Sequence, residues 1–555
     1  MIGVIADSAD HAVVREFFEL FKTPWELWRD DGGYDVVLCA GDFAFDKTAR
    51  LVLLYSGSKI AFDDEKKLQT RCGEGNTRIV SRHGDKIPIY GNYFTFPEID
   101  NSPLVEEDSR ECAAYRDESS ERVVVRIGYD LFSEVRTLLT IGQPSANASL
   151  PTLDLHIAFL RDFITSSGVP LFEIPPVPEG YQFLACLTHD IDHPAIRPHK
   201  LDHTMFGFLY RAVFDSLRKA VRGQMSVQDV LRNWGAALKL PFVHLGLAKD
   251  FWREFDDQYL ELEEGLRSTF FVIPFSERPG NNSDGPAPHI RAVRYGARDI
   301  ADAIRKLTAA GCEIGLHGID AWIDVSKGCQ ELDEIRHLTE VSEVGVRMHW
   351  LYYDQQSPAT LDAAGAAYDS TFGYNETVGY RAGTTQVYKP LNSNKMLELP
   401  LHIMDTALFY PSRLGLSRPQ AKTLLGPMLN NAVRFGGTLT INWHDRSLAP
   451  ERLWGDFYSE LIQDLKGRGA WFSTASQVVA WSKKRRSAVF EKDPHERNAV
   501  RIRPATNHPN GLPGLRLRVH RAEDINASNP QVSSNFTDIA PDHRGRTIIC
   551  PETAQ

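Results

Sequence analysis

From about Tyr181 to Ser482, short apolar runs alternate with stretches of helical period, and no other feature of the sequence restricts its fold as strongly. The runs are Phe183–Leu187, Ser268–Val272, Glu313–Leu316, Met396–Pro400 and Leu439–Asn442, most of them preceded by helix-forming sequence. Continuous apolar strands separated by helices are the pattern of parallel βα units, because parallel strands need a crossover and are covered on both faces. Repeated through a block of this length, they predict an open or closed α/β barrel, whose chemistry gathers at the C-terminal ends of the strands. A long helical stretch at about 200–266 lies between the first two runs as an insertion.

The block begins after a proline-rich joint, Ile174-Pro175-Pro176-Val177-Pro178, a composition typical of linkers. Residues 1–150 carry the apolar runs Ile2–Ala6, Val36–Ala40 and Leu51–Tyr55 and the helical pattern Val13-Val14-x-x-Phe17-Phe18-x-x-Phe21, which predicts a small α/β domain. It has no Gly-x-Gly-x-x-Gly fingerprint and reads as a scaffold or docking domain of unassigned role. Residues 151–179 add an amphipathic helix over Leu153–Ile164 and the joint itself. Residues 483–555 open on a basic run, Lys483-Lys484-Arg485-Arg486. They continue as two period-two segments, Val500–Arg503 and Leu515–Val519, around a turn signal at His508-Pro509-Asn510-Gly511. A hairpin with a solvated Arg face is expected there, followed beyond Ala527 by a poorly ordered tail.

Charge and cysteine usage exclude several classes. With 62 Lys and Arg against 73 Asp and Glu, the net charge of -11 argues against a broad nucleic-acid-binding surface. No run approaches the ~18 consecutive apolar residues of a membrane helix, and Met1–Ser8 lacks the basic n-region of a secretory signal. A soluble, cytoplasmic protein is expected. The seven cysteines are scattered without Cys-x-x-Cys spacing, so they read as reduced and structural.

Ionisable residues sit where the barrel prediction puts strand ends. Asp190-Ile191-Asp192 follows the first run; the two carboxylates could converge on one cation, divide the roles of base and ligand, or serve as a loop cap. His317 follows Glu313–Leu316, and His444 follows Leu439–Asn442 and Trp443. Each alone could be a structural histidine. Together they place an ionisable group at the C-terminal end of three different strands.

The order Leu187-Thr188-His189-Asp190-Ile191-Asp192, Ser268–Val272, Glu313–Gly318, Tyr380–Thr384, Glu398–Asp405 and Trp443-His444 resembles the successive motifs of the polysaccharide deacetylases, over roughly residues 180–482. The resemblance implies an α/β fold with a distorted (β/α)7-type barrel, here preceded by the small α/β domain and followed by a short β-rich segment. It also implies a divalent metal, zinc first, with manganese or magnesium as alternatives. The activity implied is removal of acetyl groups from an N-acetylated sugar of a glycan or glycan precursor. Carried over by position, Asp190 is the general base, Asp192 and His317 are metal ligands, Arg381 orients the base, and His444 is the general acid held by Asp405. Arg347, His349 and Asp354 line the cleft or form a buried network, and Trp443, with Trp322, Tyr352, Tyr353 and Trp454, offers a stacking face for sugar. The family's second motif carries another histidine four residues after the first; here that position is Ala321, and Asp320 is the substitute ligand. An Asp-His-Asp set is oxygen-rich and more tolerant of manganese or magnesium.

Two other functions fit part of the pattern. A glycosyltransferase would use Asp190-x-Asp192 on a metal-bound nucleotide-sugar diphosphate but would leave His317 and His444 idle. A deacetylase-like barrel with an impaired site would bind a glycan or a partner protein through its aromatic cleft.

Overall fold

The computed structural model describes residues 1–43, 49–72, 77–99, 102–119, 122–223, 225–492, 500–503, 511–521 and 536–539. The chain divides into two compact units: Met1–Gly180 with Tyr380–Leu391 and Ala480–Gln555, and Tyr181–Gly379 with Asn392–Val479.

The first unit holds a six-stranded sheet in the order Ala114–Ser119, Arg122–Ile127, Leu51–Tyr55, Val36–Ala40, Ile2–Ile5, Trp25–Leu27. Only its first pair is antiparallel. Val36–Ala40 and Leu51–Tyr55 are buried along their whole length, which is why they read as unbroken apolar runs. The helix His11–Phe21 buries Val13, Val14, Phe17, Phe18 and Phe21 on one stripe and stops at Lys22, whose φ of 47° is left-handed. Tyr380–Leu391 counts with this unit because the buried carboxylate of Asp154, on the helix Thr152–Ser166, accepts hydrogen bonds from the Thr384 hydroxyl (2.6 Å) and the Thr385 amide (3.0 Å).

The expected C-terminal hairpin does not form. Val500–Arg503 pairs with Val489–Lys492, whereas Leu517–His520 lies between Leu171–Glu173 and Phe536–Ile539. A period of two identifies strands without naming their partners. Nor is the Arg face left to solvent, since Arg518 closes on the Asp538 carboxylate at 2.8 Å and Arg516 at 3.1 Å. His508, Pro509 and Asn510 of the turn signal lie outside the described residues, as does the tail beyond Ala527 apart from Phe536–Ile539.

The second unit is built on a parallel sheet in the order Leu397–Glu398, Tyr368–Asp369, Val346–Met348, Glu313–Gly318, Thr269–Val272, Phe183–Ile191, Thr438–Asn442, Ile403–Met404. Ala470–Phe472 adds beside the first residues of Phe183–Ile191. Its two edges are separated in sequence only by residues 399–402. There the Leu399 amide donates to the Asp369 carbonyl (2.8 Å) and the His402 amide to the Thr440 carbonyl (3.1 Å), so the sheet curls into an incomplete barrel. The expected strand Met396–Pro400 is shorter, Leu397–Glu398, and ends before Pro400, which has no N–H to donate; the next strand, Ile403–Met404, lies beyond it.

The helical insertion comprises His203–Leu209, a π-helical segment Tyr210–Asp215, Ser216–Val221, Val227–His244 and Phe255–Leu262. Its inward residues Met205, Phe208, Leu240, Val243 and Trp252 form one cluster with Ile196 and Ala449, on the loops that follow Asp192 and His444. Among the described residues no helix is long and apolar enough to cross a membrane.

Candidate metal and catalytic site

The site gathers at the C-terminal ends of strands of the second unit. Asp190 is in the last turns of the pleat of Phe183–Ile191, Asp192 follows at once, and His317 is in the last part of Glu313–Gly318. His349 follows Val346–Met348, Asp405 follows Ile403–Met404, and His444 comes two residues after Thr438–Asn442. Sheet curl, rather than sequence proximity, brings them together.

One ligand atom from each of Asp192, His317 and His349 falls within 4.8 Å of the others. His317 Nε2 lies 3.4 Å and His349 Nε2 3.5 Å from Asp192 Oδ1. His317 Nδ1 is 2.9 Å from the Arg347 carbonyl, which can only accept, so Nδ1 carries the proton and the Nε2 lone pair faces Asp192. Asp192 Oδ1 is buried and has no hydrogen-bond partner. Two imidazole nitrogens turned toward a bare carboxylate oxygen form a set that could hold a cation. Burial pushes the His349 imidazole well below its ordinary value, keeping it neutral and able to donate a lone pair.

Asp190 is fixed on both oxygens: Arg347 Nη1 donates to Oδ1 at 3.1 Å and Asn442 Nδ2 to Oδ2 at 2.7 Å. Arg347 is itself fully buried and bound to the Thr188 hydroxyl at 2.6 Å and the Ser370 carbonyl at 3.0 Å. Across the site, His444 Nδ1 is 2.6 Å from Asp405 Oδ1, while its Nε2 lies 3.9 Å from Asp192 Oδ2. Burial would lower the pKa of His444, but Asp405 raises it to about 10, so its imidazole is protonated at neutral pH. The Asp405 carboxylate also accepts from the His444 amide at 2.7 Å and from the Ser447 hydroxyl.

Several sequence expectations need correction. Asp320 does not join the cluster; its carboxylate accepts from the Asn281 amide (2.7 Å) and from Lys327 Nζ (2.7 Å) beside a separate cavity. His349, expected to line the cleft or join a buried network, brings its Nε2 to 3.5 Å from Asp192 Oδ1 and so falls within the cluster that could hold a metal. A guanidinium does hold Asp190, and it is that of Arg347; the Arg381 carbonyl accepts from the Gln143 amide at 2.8 Å. Trp443 has no exposed surface and stacks on Tyr458 at 4.9 Å, so it is core and not a sugar platform. Asp354 caps the helix Ser357–Ala364, accepting from the Ser357 amide at 2.8 Å.

Three contributors went unread in the sequence. Asn442 is the last residue of an apolar run and looked like a strand end. Arg291, buried, donates from Nη2 to the carbonyls of Ile319 (3.0 Å) and His349 (2.8 Å), tying together the loops that follow His317 and Met348. Trp350, with a φ of 66° and 37 % exposed, is an aromatic held in the left-handed region directly after His349. His349 itself obeys the rule that exposed the other histidines, but its strand is only three residues long.

No family model and no curated protein matches the chain. Among solved structures, the neighbours include polysaccharide and peptidoglycan deacetylases and a GH57 branching enzyme from Thermococcus kodakaraensis, each covering about half of it. A Mycobacterium smegmatis protein provisionally described as a polysaccharide deacetylase is 19 % identical over 56 % of this chain and 94 % of its own, with a TM-score of 0.34. The peptidoglycan deacetylase PdaC from Bacillus subtilis, as a mutant, is 11 % identical over 55 % of this chain and 93 % of its own, at a TM-score of 0.24. A mutant of a CE4-family pseudoenzyme with restored enzymatic activity is 9 % identical over 54 % and 68 %, also at 0.24. At such identities and TM-scores these likenesses carry no functional inference, and the reading of the site rests on its own side chains.

Proposed function

We propose that this chain is a metal-dependent hydrolase that removes acetyl groups from the amide nitrogen of an N-acetylated sugar. The observation that carries this reading is the juxtaposition of the Asp192, His317 and His349 cluster with a doubly held carboxylate on one side and a carboxylate-bound imidazolium on the other. Asp192, His317 and His349 would hold the cation, with zinc the best match to that donor set. A divalent cation supplies Lewis-acid polarisation of the acetyl carbonyl and lowers the pKa of water.

The residues supply the proton transfers. Asp190, oriented by Arg347 and Asn442, accepts a proton from the attacking water. The carbon–nitrogen bond of the amide breaks as His444 gives the proton on Nε2 to the departing amine, leaving acetate and the free amino sugar. Asp405 fixes the imidazole through Nδ1, so that Nε2 is the nitrogen turned to the cluster. Arg291 and Trp350 support the reading by holding the loop of His349 and offering a stacking face beside it.

Metal content of the purified chain and acetate release from N-acetylated oligosaccharides, before and after chelation, test this directly. Stoichiometric metal and activity lost to the chelator and restored by zinc or manganese are expected. Asp190→Asn should lower kcat by roughly 100- to 10,000-fold with metal still bound. Acetate release that survives chelation would overturn the reading, and bound metal without any acetate release would favour a glycan-binding protein.

A further inference from the structure

We propose that the helical insertion is a peripheral docking surface for anionic lipid. Its helices are apolar on two sides. The inward sides, through Met205, Phe208, Leu240 and Val243, are used up in the cluster that anchors them. Outward, Phe206, Tyr210, Phe214, Leu217 and Val221 succeed one another at spacings of three or four, as do Val227, Leu231, Trp234, Leu238, Phe242 and Leu245, so each set forms one stripe. All are exposed, Val221 by 82 %, Leu238 by 76 % and Leu245 by 71 %. Isolated exposed apolar residues need no explanation, but two continuous stripes mark a surface that is covered in use.

Charge selects the occupant. Residues 201–249, the part of the insertion that carries both stripes, hold seven Lys and Arg against three Asp and no Glu, whereas the acids Asp250, Glu254, Asp256, Asp257 and Glu261 fall on the segment that follows and carries no stripe. Arg218, Arg222 and Lys239 are exposed and form no ion pair among the described residues. A two-fold contact with a second copy would set these cations against themselves. An anionic bilayer answers both features: its headgroups meet the cations, and its acyl boundary receives the apolar stripes, with Tyr210 and Trp234 suited to the interface between them. No helix among the described residues is long and apolar enough to cross the bilayer, so the insertion lies on the surface and does not span it. Because its anchor includes Ile196 and Ala449, the surface stands on the same rim as the metal cluster.

Sedimentation of the full chain with vesicles of phosphatidylcholine alone, or of phosphatidylcholine mixed with phosphatidylglycerol, tests the assignment without reference to catalysis. Binding to the mixed vesicles, weak binding to the neutral ones and release by high salt are expected. Each cation near the surface is worth roughly a factor of five, so Arg218→Glu, Arg222→Glu and Lys239→Glu together should weaken binding by roughly 100-fold or more. Leu231→Ser with Leu238→Ser should also release the chain while leaving its thermal unfolding unchanged, since both residues are exposed. Equal binding to neutral vesicles would overturn the electrostatic selection. A chain that ignores vesicles overturns the proposal altogether: if it is a dimer split by the Leu231 and Leu238 substitutions, the stripes belong to a second copy, and if it is a monomer they belong to a protein partner.

Discussion

At the scale of single residues, the site turns on which acidic and imidazole groups share a point in space. Asp320 and His349 both stand near strand ends, yet only His349 presents its Nε2 to Asp192 Oδ1, at 3.5 Å. Asp320 is engaged by Lys327 and Asn281. The two can be told apart by metal affinity measured in competition with a chromogenic chelator. His349→Ala should weaken binding by more than the roughly 10- to 100-fold that loss of an outer hydrogen-bond partner costs. Asp320→Ala should leave both affinity and stoichiometry unchanged. Spacing from His317 pointed to Asp320 because a position three residues on is close in sequence. His349 is 32 positions away and reaches the site because its strand pairs beside that of His317, with Val346 opposite Leu316.

Among elements, the C-terminal strand Leu517–His520 shows how pairing rests on buried charge. It docks on Leu171–Glu173, where the Glu173 carboxylate accepts from Arg161 at 2.8 Å and meets His520 at 3.1 Å. Burial would raise the pKa of Glu173, but Arg161 and His520 overcome it and hold the carboxyl well below the usual value. A carboxyl depressed in the folded state stabilises the protein above its unfolded pKa, about 4.3, and that contribution is lost as the pH falls below it. Thermal unfolding followed between pH 7 and pH 3 should therefore show a steep acid loss in the parent chain and a shallower one in Glu173→Gln. At pH 7 the variant should be less stable by about 3 kcal/mol, the scale of a broken buried pair. The strands themselves were legible as alternating Arg and apolar residues; their partners were not, because alternation says which face a side chain takes and nothing about the neighbouring strand.

In the whole molecule, the chain does not divide where its sequence block ends. Tyr380–Leu391 lies inside the stretch 181–482 but counts with the first unit, through Thr384 and Thr385 on Asp154. A fragment of residues 181–482 strands that segment without its partners. Calorimetry should find the fragment melting below the corresponding transition of the full chain, and a chain lacking only residues 380–391 should lose stability in the first unit. A fragment that melts at the full-chain temperature would show that the segment contributes nothing.

By itself the sequence determined the parallel α/β character of the second unit and the strand ends that carry Asp190, Asp192, His317 and His444, because apolar runs and their boundaries are local properties of a chain. Tertiary structure alone decided that Arg347 and Asn442 hold Asp190, that His349 completes the cluster, and that Asp320 and Trp443 are employed elsewhere. Those outcomes depend on strand order and on the curl that brings residues 397–404 round from Asp369 to Thr440. Both arise from packing between segments hundreds of residues apart, which no local pattern records.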